Sequence, residues 1–174
     1  MDYIIRDAKP EDCVEIMRLI TELAEYEKLP EQVQLDAESL REDGFGTTNP
    51  FYKCLVAELT SGHKTKEGHT LVAYAMYYFT YSTWLGRSIY VEDIYVMPEC
   101  RAKGIGHGLL QKIAKIAVEQ KCKYLQLVVL DWNKLATEFY IRRGCTDLTT
   151  KEGWSLFRFE LDALNKLAEG DDRN

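Results

Sequence analysis

The sequence of 174 residues is poor in cross-linking and metal-binding patterns, and it has no long apolar run. Its five cysteines are odd in number and include no C-x-x-C pair, which argues against a disulfide framework or a zinc site and predicts free thiols. No apolar stretch approaches the length of a membrane span, and the first residues lack the basic and apolar segments of a leader. We therefore expect a cytoplasmic protein with no metal and no membrane partner.

Positive charge is also in short supply. The 22 lysines and arginines are outnumbered by 28 aspartates and glutamates, which gives a net charge of −6. A nucleic-acid partner would need a basic face, so we expect none, whereas a small cationic substrate is compatible with this balance. The hydrophobic share of 46% and the charged share of 29% are ordinary for one globular domain.

Two common phosphate-binding motifs are missing, but a third glycine-bearing turn is present. No G-x-x-x-x-G-K-[ST] sequence occurs, and G-x-G-x-x-G fails because Leu109 stands where its third glycine belongs. The chain does contain Arg101-Ala-Lys-Gly-Ile-Gly106, between a predicted strand and a helix predicted to begin near Gly108. Closely spaced glycines before a helix N-terminus build an anion cradle from backbone N–H groups. The same residues could also form a plain strand-to-helix connection with two turn glycines.

Apolar periodicity, caps and turn residues predict the element order β-α-α-β-β-β-α-β-α-β. The predicted elements are a strand at 3–5, a helix after Pro10, a short helix from Asp36 to Gly44, strands at 51–59, 70–81 and 87–97, a helix after the glycine turn, a buried strand at 124–130, a helix capped by Asn133, and a final strand at 154–161.

The glycine turn and this order of elements resemble the GNAT acetyltransferase superfamily over nearly the whole chain. Shorter segments resemble its diamine and polyamine acetyltransferases; they are Ala24-Glu-Tyr-Glu-Lys28, Asp43-Gly-Phe-Gly46, 75–84, Glu92-Asp93, Asp131-Trp-Asn133, Phe139-Tyr140 and Glu152-Gly-Trp154. The resemblance implies an α/β (α+β) fold, with one GNAT domain at 1–166, a mixed sheet flanked by about four helices, and a polar tail at 167–174. It also implies acetyl-CoA as co-substrate and a homodimer, for which the aromatic segment 74–81 would suit an interface.

The resemblance assigns the coenzyme to three segments. One strand would bind the pantetheine arm through its backbone, the glycine turn would bind the pyrophosphate, and the next helix start would add contacts. The implied coenzyme residues are Ile94, Tyr95, Val96, Arg101, Ala102, Lys103, Gly104, Ile105, Gly106, His107, Asn133, Lys134, Leu135, Ala136 and Tyr140. Asn133 can also serve as a helix cap, and His107 can also be a solvent-facing loop residue.

Acetyl transfer to an alkylammonium needs a proton acceptor, because an amine with a pKa of about 10.4 is not a nucleophile until it is deprotonated. Glu92 or Asp93 could accept that proton directly or through water, or both could be ordinary strand carboxylates. Adjacent residues on a regular strand point to opposite faces, so both reach one cleft only if a bulge intervenes, as GNAT members have here. The resemblance assigns catalysis to Glu92 and, as the acid that protonates the leaving thiolate, to Tyr140.

The resemblance also implies an amine site with acidic contacts and aromatic walls. Its substrate-binding residues are Tyr26, Glu27, Glu92, Gln126, Leu127, Val128 and Glu152, with Trp84 as a further wall. Polyamine-acetylating members typically have an aspartate where this chain has Ser82, so the missing charge favours thialysine, lysine analogues or diamines over spermidine and spermine. The sequence is also compatible with a protein-lysine acetyltransferase and with a catalytically degenerate coenzyme-binding or interaction module.

Overall fold

A five-stranded sheet organises the first part of the chain in this computed structural model, which describes residues 2–170. The strands are β1 (Tyr3–Asp7), β2 (Lys53–Leu59), β3 (Leu71–Ser82), β4 (Gly86–Val96) and β5 (Leu125–Gln126). They lie in the order β1-β2-β3-β4-β5; the pairs from β1 to β4 are antiparallel, and β4 pairs with β5 in parallel. The predicted mixed sheet is therefore confirmed.

Six α-helices accompany the sheet within residues 2–170. They are α1 (Cys13–Tyr26), α2 (Ala37–Phe45), α3 (Ile105–Glu119), α4 (Lys134–Ile141), α5 (Leu148–Glu152) and α6 (Leu161–Ala168). No helix in this part of the chain is long and apolar enough to cross a membrane. The chain divides into two compact units, Met1–Val128 and Val129–Asn174, so that the sheet and α1 to α3 belong to the first unit.

Local sequence signals start the early helices where they were predicted. Asp36 caps α2, because its Oδ1 accepts a hydrogen bond from the Ser39 backbone N–H at 2.8 Å. Pro10 opens a short 3-10 turn that leads into α1. The third helix begins at Ile105, three residues before the predicted start, because Gly104 itself is the N-cap.

The core of the first unit is formed by the sheet together with α1 and α3. Ile16 and Leu19 of α1, and Leu109 and Ile113 of α3, are fully buried and belong to one hydrophobic cluster with β2 and β3. Each such side chain contributes about 1.5–3 kcal/mol of burial free energy. The first seven residues of β3, from Leu71 to Tyr77, are all buried. A packed strand of this kind holds the neighbouring residues of β4 in fixed positions.

Two predicted strands are wrong in extent or in kind. Of the strand predicted at 124–130, only Leu125–Gln126 is paired. The final strand predicted at 154–161 is absent: residues 154–160 have no regular structure, and α6 begins at Leu161. A strand needs a hydrogen-bonding neighbour, and none of the described residues pairs with this segment, so that Leu156 and Phe157 remain 78% and 87% exposed.

The last part of the chain is more helical than predicted. Helix α5 was not predicted, although Asp147 caps it by accepting a hydrogen bond from the Thr150 backbone N–H at 3.1 Å. With α6 it raises the number of helices to six instead of about four. Residues 167 and 168 of the predicted polar tail belong to α6, and residues 171–174 lie outside the described part of the chain.

Candidate active site

Strand β4 carries a bulge at its acidic pair. Met76 of β3 pairs with Asp93, but the next residue, Tyr77, pairs with Val91, so that Glu92 is an extra residue in β4. Such an insertion resets the alternation of side chains along the strand. The bulge that the sequence resemblance implied is therefore present.

Two hydrogen bonds show that both carboxylates reach the same face of the sheet. Tyr74 Oη donates to Asp93 Oδ2 at 2.9 Å, and Tyr78 Oη donates to Glu92 Oε2 at 3.0 Å. Tyr74 and Tyr78 are four residues apart in β3, and residues separated by an even number point to one face of a strand. The bulge thus gives Glu92 and Asp93 a common side, which a regular strand would not.

The two carboxylates differ in their surroundings. Glu92 is exposed, whereas burial, assisted by the negative charges of Glu92 and Glu27, raises the pKa of Asp93 to about 6. The hydrogen bond from Tyr74 opposes this change because it favours the ionised form. Glu27 is half-buried at the C-cap of α1, and burial raises its pKa as well.

Glu27, Glu92 and Asp93 form what we call the acidic cluster. None of the three has an ion pair with a residue in 2–170. A carboxylate close to like charges and away from water is stabilised when a cation arrives. The cluster therefore has a negative charge that no cation within residues 2–170 balances. No group of three or more His, Cys, Asp or Glu in the described chain is arranged to hold a metal ion.

The end of α1 meets the start of the glycine turn through Arg101. The guanidinium carbon lies 5.0 Å from the centroid of the Tyr26 ring and 5.8 Å from that of Tyr95. Arg101 Nε also donates to the Val96 carbonyl at 2.9 Å. These contacts tie a residue predicted to bind coenzyme to Tyr26, a residue predicted to bind the amine.

The glycine turn has the backbone shape of an anion site. Gly104 has a φ of 83°, a left-handed conformation that a residue with a Cβ adopts only with strain. It begins α3 without a side-chain cap, and the first turn of a helix leaves N–H groups without partners inside the helix. Residues 105–107 supply those groups, and the positive end of the helix dipole lies there. Gly108 packs close to β1, since a Cβ there would lie 2.7 Å from Ile5 Cδ1.

Within residues 2–170, part of β4 has no strand partner on one side because β5 is so short. Only Ile89 and Tyr90 pair with β5, opposite Leu125 and Gln126. In the described chain, residues 94–96 consequently have β3 on one side and no strand partner on the other. This is the edge predicted to bind a pantetheine arm, although the Val96 carbonyl is already used by Arg101.

The predicted substrate residues of β5 lie next to this same strand. Gln126 is the register partner of Tyr90, whose ring stacks on that of Tyr78 with centroids 5.3 Å apart. Tyr78 also donates a hydrogen bond to Glu92, so the register partner of Gln126 stacks on a ring that contacts the acidic cluster. Leu127 is half-buried, and Val128 is 60% exposed.

Helix α4 of the second unit begins at a cap that the sequence predicted. Asn133 Oδ1 accepts a hydrogen bond from the Ala136 backbone N–H at 3.2 Å. Lys134 and Leu135, also predicted to bind coenzyme, are exposed in the first turn of α4. The capping role of Asn133 is confirmed, and its coenzyme role stays a prediction.

The predicted general acid and one predicted substrate residue also belong to the second unit. Tyr140 is half-buried near the end of α4, and its ring meets the Phe139 ring edge-on at 5.1 Å between centroids. Glu152, at the end of α5, is exposed and accepts a hydrogen bond from Trp154 Nε1 at 2.7 Å. The action of Tyr140 and Glu152 on substrates of the first unit stays a prediction.

Ser82 closes the hairpin between β3 and β4. Its Oγ accepts hydrogen bonds from the backbone N–H groups of Trp84 at 3.2 Å and Leu85 at 3.1 Å. Ser82 is the fifth residue after Tyr77 in β3, which at about 3.4 Å per residue places the hairpin end about 17 Å from the bulge. Trp84, predicted as a wall of the amine site, is 81% exposed at this hairpin end.

Sequence reasoning missed the tyrosines that hold the two carboxylates. The segment 74–81 was interpreted as exposed aromatic surface, but Tyr74 and Tyr77 are 0% and 4% exposed. Only its later residues, including Phe79 and Tyr81, are on the surface. Once the bulge is expected at Glu92, the spacing of four between Tyr74 and Tyr78 is the signal that could have found them.

Comparison with known proteins identifies a family and several relatives that this chain resembles. The model of the acetyltransferase (GNAT) family matches residues 14–145. A thialysine N-epsilon-acetyltransferase of Bos taurus is 54% identical over 165 residues, covering 95% of this chain and 96% of the relative. The human spermidine/spermine N(1)-acetyltransferase-like protein 1 is 42% identical over 169 residues, covering 97% of this chain and 24% of that protein.

A solved structure shares the fold. An integron cassette protein from the mobile metagenome of V. cholerae superposes with a TM-score of 0.73 at 22% identity, covering 97% of this chain and 99% of that one. At this identity the likeness concerns the architecture alone, and the relatives above carry the argument about chemistry.

Proposed function

This chain belongs to the GNAT acetyltransferase family, and we propose that it transfers the acetyl group of acetyl-CoA to a primary amine of a small cationic molecule. Enzymes of this family use acetyl-CoA as co-substrate. The observation that carries the proposal is the β4 bulge, which turns Glu92 and Asp93 to one face in a cluster without a cation of its own. An ammonium group supplies that charge, and its nitrogen is the nucleophile the reaction needs.

The proposed reaction is direct attack within a ternary complex. The amine nitrogen forms a bond with the carbonyl carbon of the thioester, and the carbon–sulfur bond breaks to release the thiolate of CoA. One ammonium proton goes to the acidic pair, directly or through water, and frees the nitrogen for attack. Tyr140 Oη gives a proton to the thiolate, and the second proton that the nitrogen loses as the amide forms passes to water, from which the Tyr140 phenolate is protonated again. Glu92 keeps its predicted roles in catalysis and as a contact of the amine.

Asp93 has the surroundings of a proton acceptor. An alkylammonium has a pKa of about 10.4, so its neutral form costs about 5 kcal/mol at pH 7. A carboxylate with a pKa of about 6 takes the proton at a smaller cost than one with the ordinary value of 3.8. Burial therefore makes Asp93 a stronger base than an ordinary aspartate, while Glu92 stays accessible to the arriving cation.

The coenzyme would be held mainly by backbone groups. In this proposal the N–H groups of residues 105–107 bind the pyrophosphate, and the β4 edge at 94–96 binds the pantetheine arm. Arg101, Ala102, Lys103 and Gly104 form the turn, and the start of α4 adds contacts from Asn133 onward. Gly104 supports this arrangement because its φ of 83° shapes the start of α3.

We further propose thialysine, a lysine analogue or a diamine as the substrate. Relatives from Bos taurus, Sus scrofa and Mus musculus with 51–54% identity are named thialysine N-epsilon-acetyltransferases. The hairpin end, about 17 Å from the bulge, carries the uncharged Ser82, so a second ammonium group at that distance would find no carboxylate at this position. Short amines do not extend as far as Ser82, so the missing carboxylate does not weaken their binding.

Acetylation of spermidine or spermine is the second candidate. It is favoured by the 42% identity to the human spermidine/spermine N(1)-acetyltransferase-like protein 1. The exposed Trp84 ring also supports it, since an aromatic face can bind a distal cation in place of a carboxylate.

The experiment is acetyl-CoA turnover by the purified protein with thialysine, putrescine, spermidine and spermine, compared as kcat/KM. We expect the highest value for thialysine. The Asp93→Asn protein is the control for turnover by the enzyme itself. Preference for spermidine or spermine would replace the substrate proposal with the second candidate. Turnover of none of the amines would leave a coenzyme-binding or interaction module.

We also propose a cytoplasmic homodimer. The cysteines in the described chain, Cys13, Cys54, Cys100, Cys122 and Cys145, are free thiols, which suits a reducing compartment. The exposed rings of Phe79 and Tyr81 suit an interface between two copies. Sedimentation equilibrium tests the assembly, since the chain mass is 20.1 kDa and a dimer has twice that value.

A further inference from the structure

We propose that Tyr74 is a positioning residue of the amine site, and that its buried hydroxyl holds the Asp93 carboxylate in the orientation from which it accepts the proton of the amine. The inference rests on the proposed acetyltransferase function and adds to it a residue outside the predicted site. Tyr74 is 0% exposed, and its Oη lies 2.9 Å from Asp93 Oδ2.

The hydroxyl of Tyr74 is not explained by packing. A phenylalanine would fill the same interior space without bringing a polar group that needs a partner. A buried tyrosine can satisfy its hydroxyl on the backbone, as Tyr52 does on the Leu40 carbonyl at 2.5 Å. Tyr74 instead donates to the half-buried Asp93 carboxylate, which is the more demanding partner because partial burial makes its ionised form costly.

Register explains how the two groups meet. Tyr74 pairs with Tyr95, and Asp93 pairs with Met76, so Tyr74 and Asp93 are diagonal neighbours on one face of the β3–β4 pair. The extra residue Glu92 directly precedes this regular stretch of β4. Asp93 is therefore the first residue of β4 after the bulge that the undisturbed ladder fixes.

Only one oxygen of Asp93 is used by the protein. Oδ2 accepts from Tyr74, and no other hydrogen bond to the Asp93 side chain comes from residues 2–170. Every buried side-chain oxygen or nitrogen in that part of the chain has a partner, so the unbonded Oδ1 is accessible from outside. The carboxylate is thus anchored at one oxygen and presents the other to a substrate.

Tyr74 is also the group that keeps Asp93 ionisable. The hydrogen bond from Tyr74 lowers the pKa of Asp93, whereas burial and the neighbouring carboxylates raise it. No lysine, arginine or histidine is among the groups that act on it. The titratable groups around Asp93 are Glu27 at the end of α1, Cys54 on β2, Tyr74 and Tyr78 on β3, and Glu92 on β4.

The test is the pH dependence of kcat/KM for thialysine in the Tyr74→Phe protein. Loss of the donor destabilises the carboxylate form, so Asp93 should hold its proton to higher pH. We expect the acidic limb of the profile to move upward by about one pH unit. A residue that only packs would lower activity equally at all pH values, or only change the thermal stability.

The matched control is Tyr77→Phe. Tyr77 is another buried tyrosine of β3, 4% exposed, three residues away and on the opposite face of the strand. It has no hydrogen bond to the acidic cluster in the described chain. Its removal should leave the acidic limb where it is in the unaltered protein.

A second measurement reports on the hydrogen bond without turnover. The Asp93 carboxyl carbon can be titrated by NMR in the amine-free protein, and its midpoint should rise in Tyr74→Phe. If that variant does not fold, site-specific 3-fluorotyrosine at position 74 makes a more acidic donor, and the midpoint should move downward instead.

The outcomes distinguish failure of the proposed function from failure of the positioning role of Tyr74. If the unaltered protein acetylates none of the amines, the proposed function is overturned, and this inference with it. If the unaltered protein is active but its acidic limb does not move in Tyr74→Phe, the positioning role alone is overturned. An Asp93 midpoint that is unchanged by both substitutions has the same consequence.

Discussion

The bulge of β4 and the turn before α3 lie close together in the sequence, yet in the proposed function they bind opposite charges by different means. The bulge contributes side chains, because Glu92 and Asp93 share a face only when an extra residue interrupts the strand. The turn contributes the backbone, because Gly104 with a φ of 83° starts a helix whose first N–H groups have no side-chain cap. A cation site of carboxylates is changed by altering charge, whereas a backbone anion site is changed by altering conformation.

The largest expected effect comes from a residue that belongs to neither region. Tyr140→Phe should lower kcat about 100-fold or more, because the departing thiolate loses its proton donor. The KM values for acetyl-CoA and for the amine should change less than about threefold, since both binding regions are intact. Steady-state kinetics at saturating amine measure this. Tyr81→Phe, an exposed tyrosine, is the control, and unchanged kcat in Tyr140→Phe would remove the acid assignment.

Asp93→Asn tests whether the half-buried carboxylate at the bulge lowers the stability of the folded protein while it supports activity. A buried group whose pKa is raised from 3.8 to about 6 stabilises the folded state below pH 3.8 and loses that contribution as the pH rises through 6. Asparagine keeps the shape and the acceptor for Tyr74 but does not titrate. The variant should lose most activity and gain up to about 3 kcal/mol of unfolding free energy at pH 8.

Urea unfolding at pH 4 and at pH 8 checks this prediction. The difference between Asp93→Asn and the unaltered protein should be present at pH 8 and several times smaller at pH 4, where Asp93 of the folded protein is uncharged. A difference of equal size at both values would show that packing, and not charge, sets the stability of this position.

Gly104→Val tests the turn. A β-branched side chain at a φ of 83° is strained, so residues 105–107 should shift, and KM for acetyl-CoA should rise about tenfold. Gly68→Val is the control, because Gly68 has a similar φ of 90° and open space around it in the loop between β2 and β3. An equal loss of coenzyme affinity in both variants would mean that backbone strain acts through the fold and not through the turn.

Glu92→Gln should give the smallest effect, because Asp93, the proton acceptor in the proposed reaction, stays in place. It removes one exposed charge of the acidic cluster, and exposed ion pairs contribute up to about 1 kcal/mol, so KM for the amine should rise about two- to fivefold. The increase should shrink in high salt. Glu25→Gln, an exposed glutamate of α1, serves as control. A larger rise in KM for acetyl-CoA than for the amine would place Glu92 outside the amine site.

The two regions also differ in how far the sequence reveals them. The turn is a contiguous motif, and Arg101-Ala-Lys-Gly-Ile-Gly106 shows both its glycines and the helix that follows. The bulge was predicted only through the family resemblance. The segment Val91-Glu-Asp-Ile94 does not indicate its register with β3, that is, which residue of β3 lies opposite each of its residues. Tyr74 was missed for the same reason, since its partner is 19 residues away along the chain.

The wrong strand at the end of the chain has a related cause. Residues 154–161 contain two short alternating runs, Trp154-Ser-Leu156 and Phe157-Arg-Phe-Glu-Leu161, which together suggested a half-buried strand. Alternation describes the faces of a segment and says nothing about its hydrogen-bonding neighbour. Helix caps, in contrast, are local, which is why Asp36 and Asn133 were predicted correctly.

The most direct measurement is a two-substrate initial-velocity series, with acetyl-CoA and thialysine both varied, on the unaltered protein, Gly104→Val and Glu92→Gln. If the bulge binds the amine and the turn binds the coenzyme, Gly104→Val should raise only KM for acetyl-CoA, and Glu92→Gln should raise only KM for thialysine. If both variants raise the same KM, the division of the site into a cation-binding bulge and an anion-binding turn is contradicted.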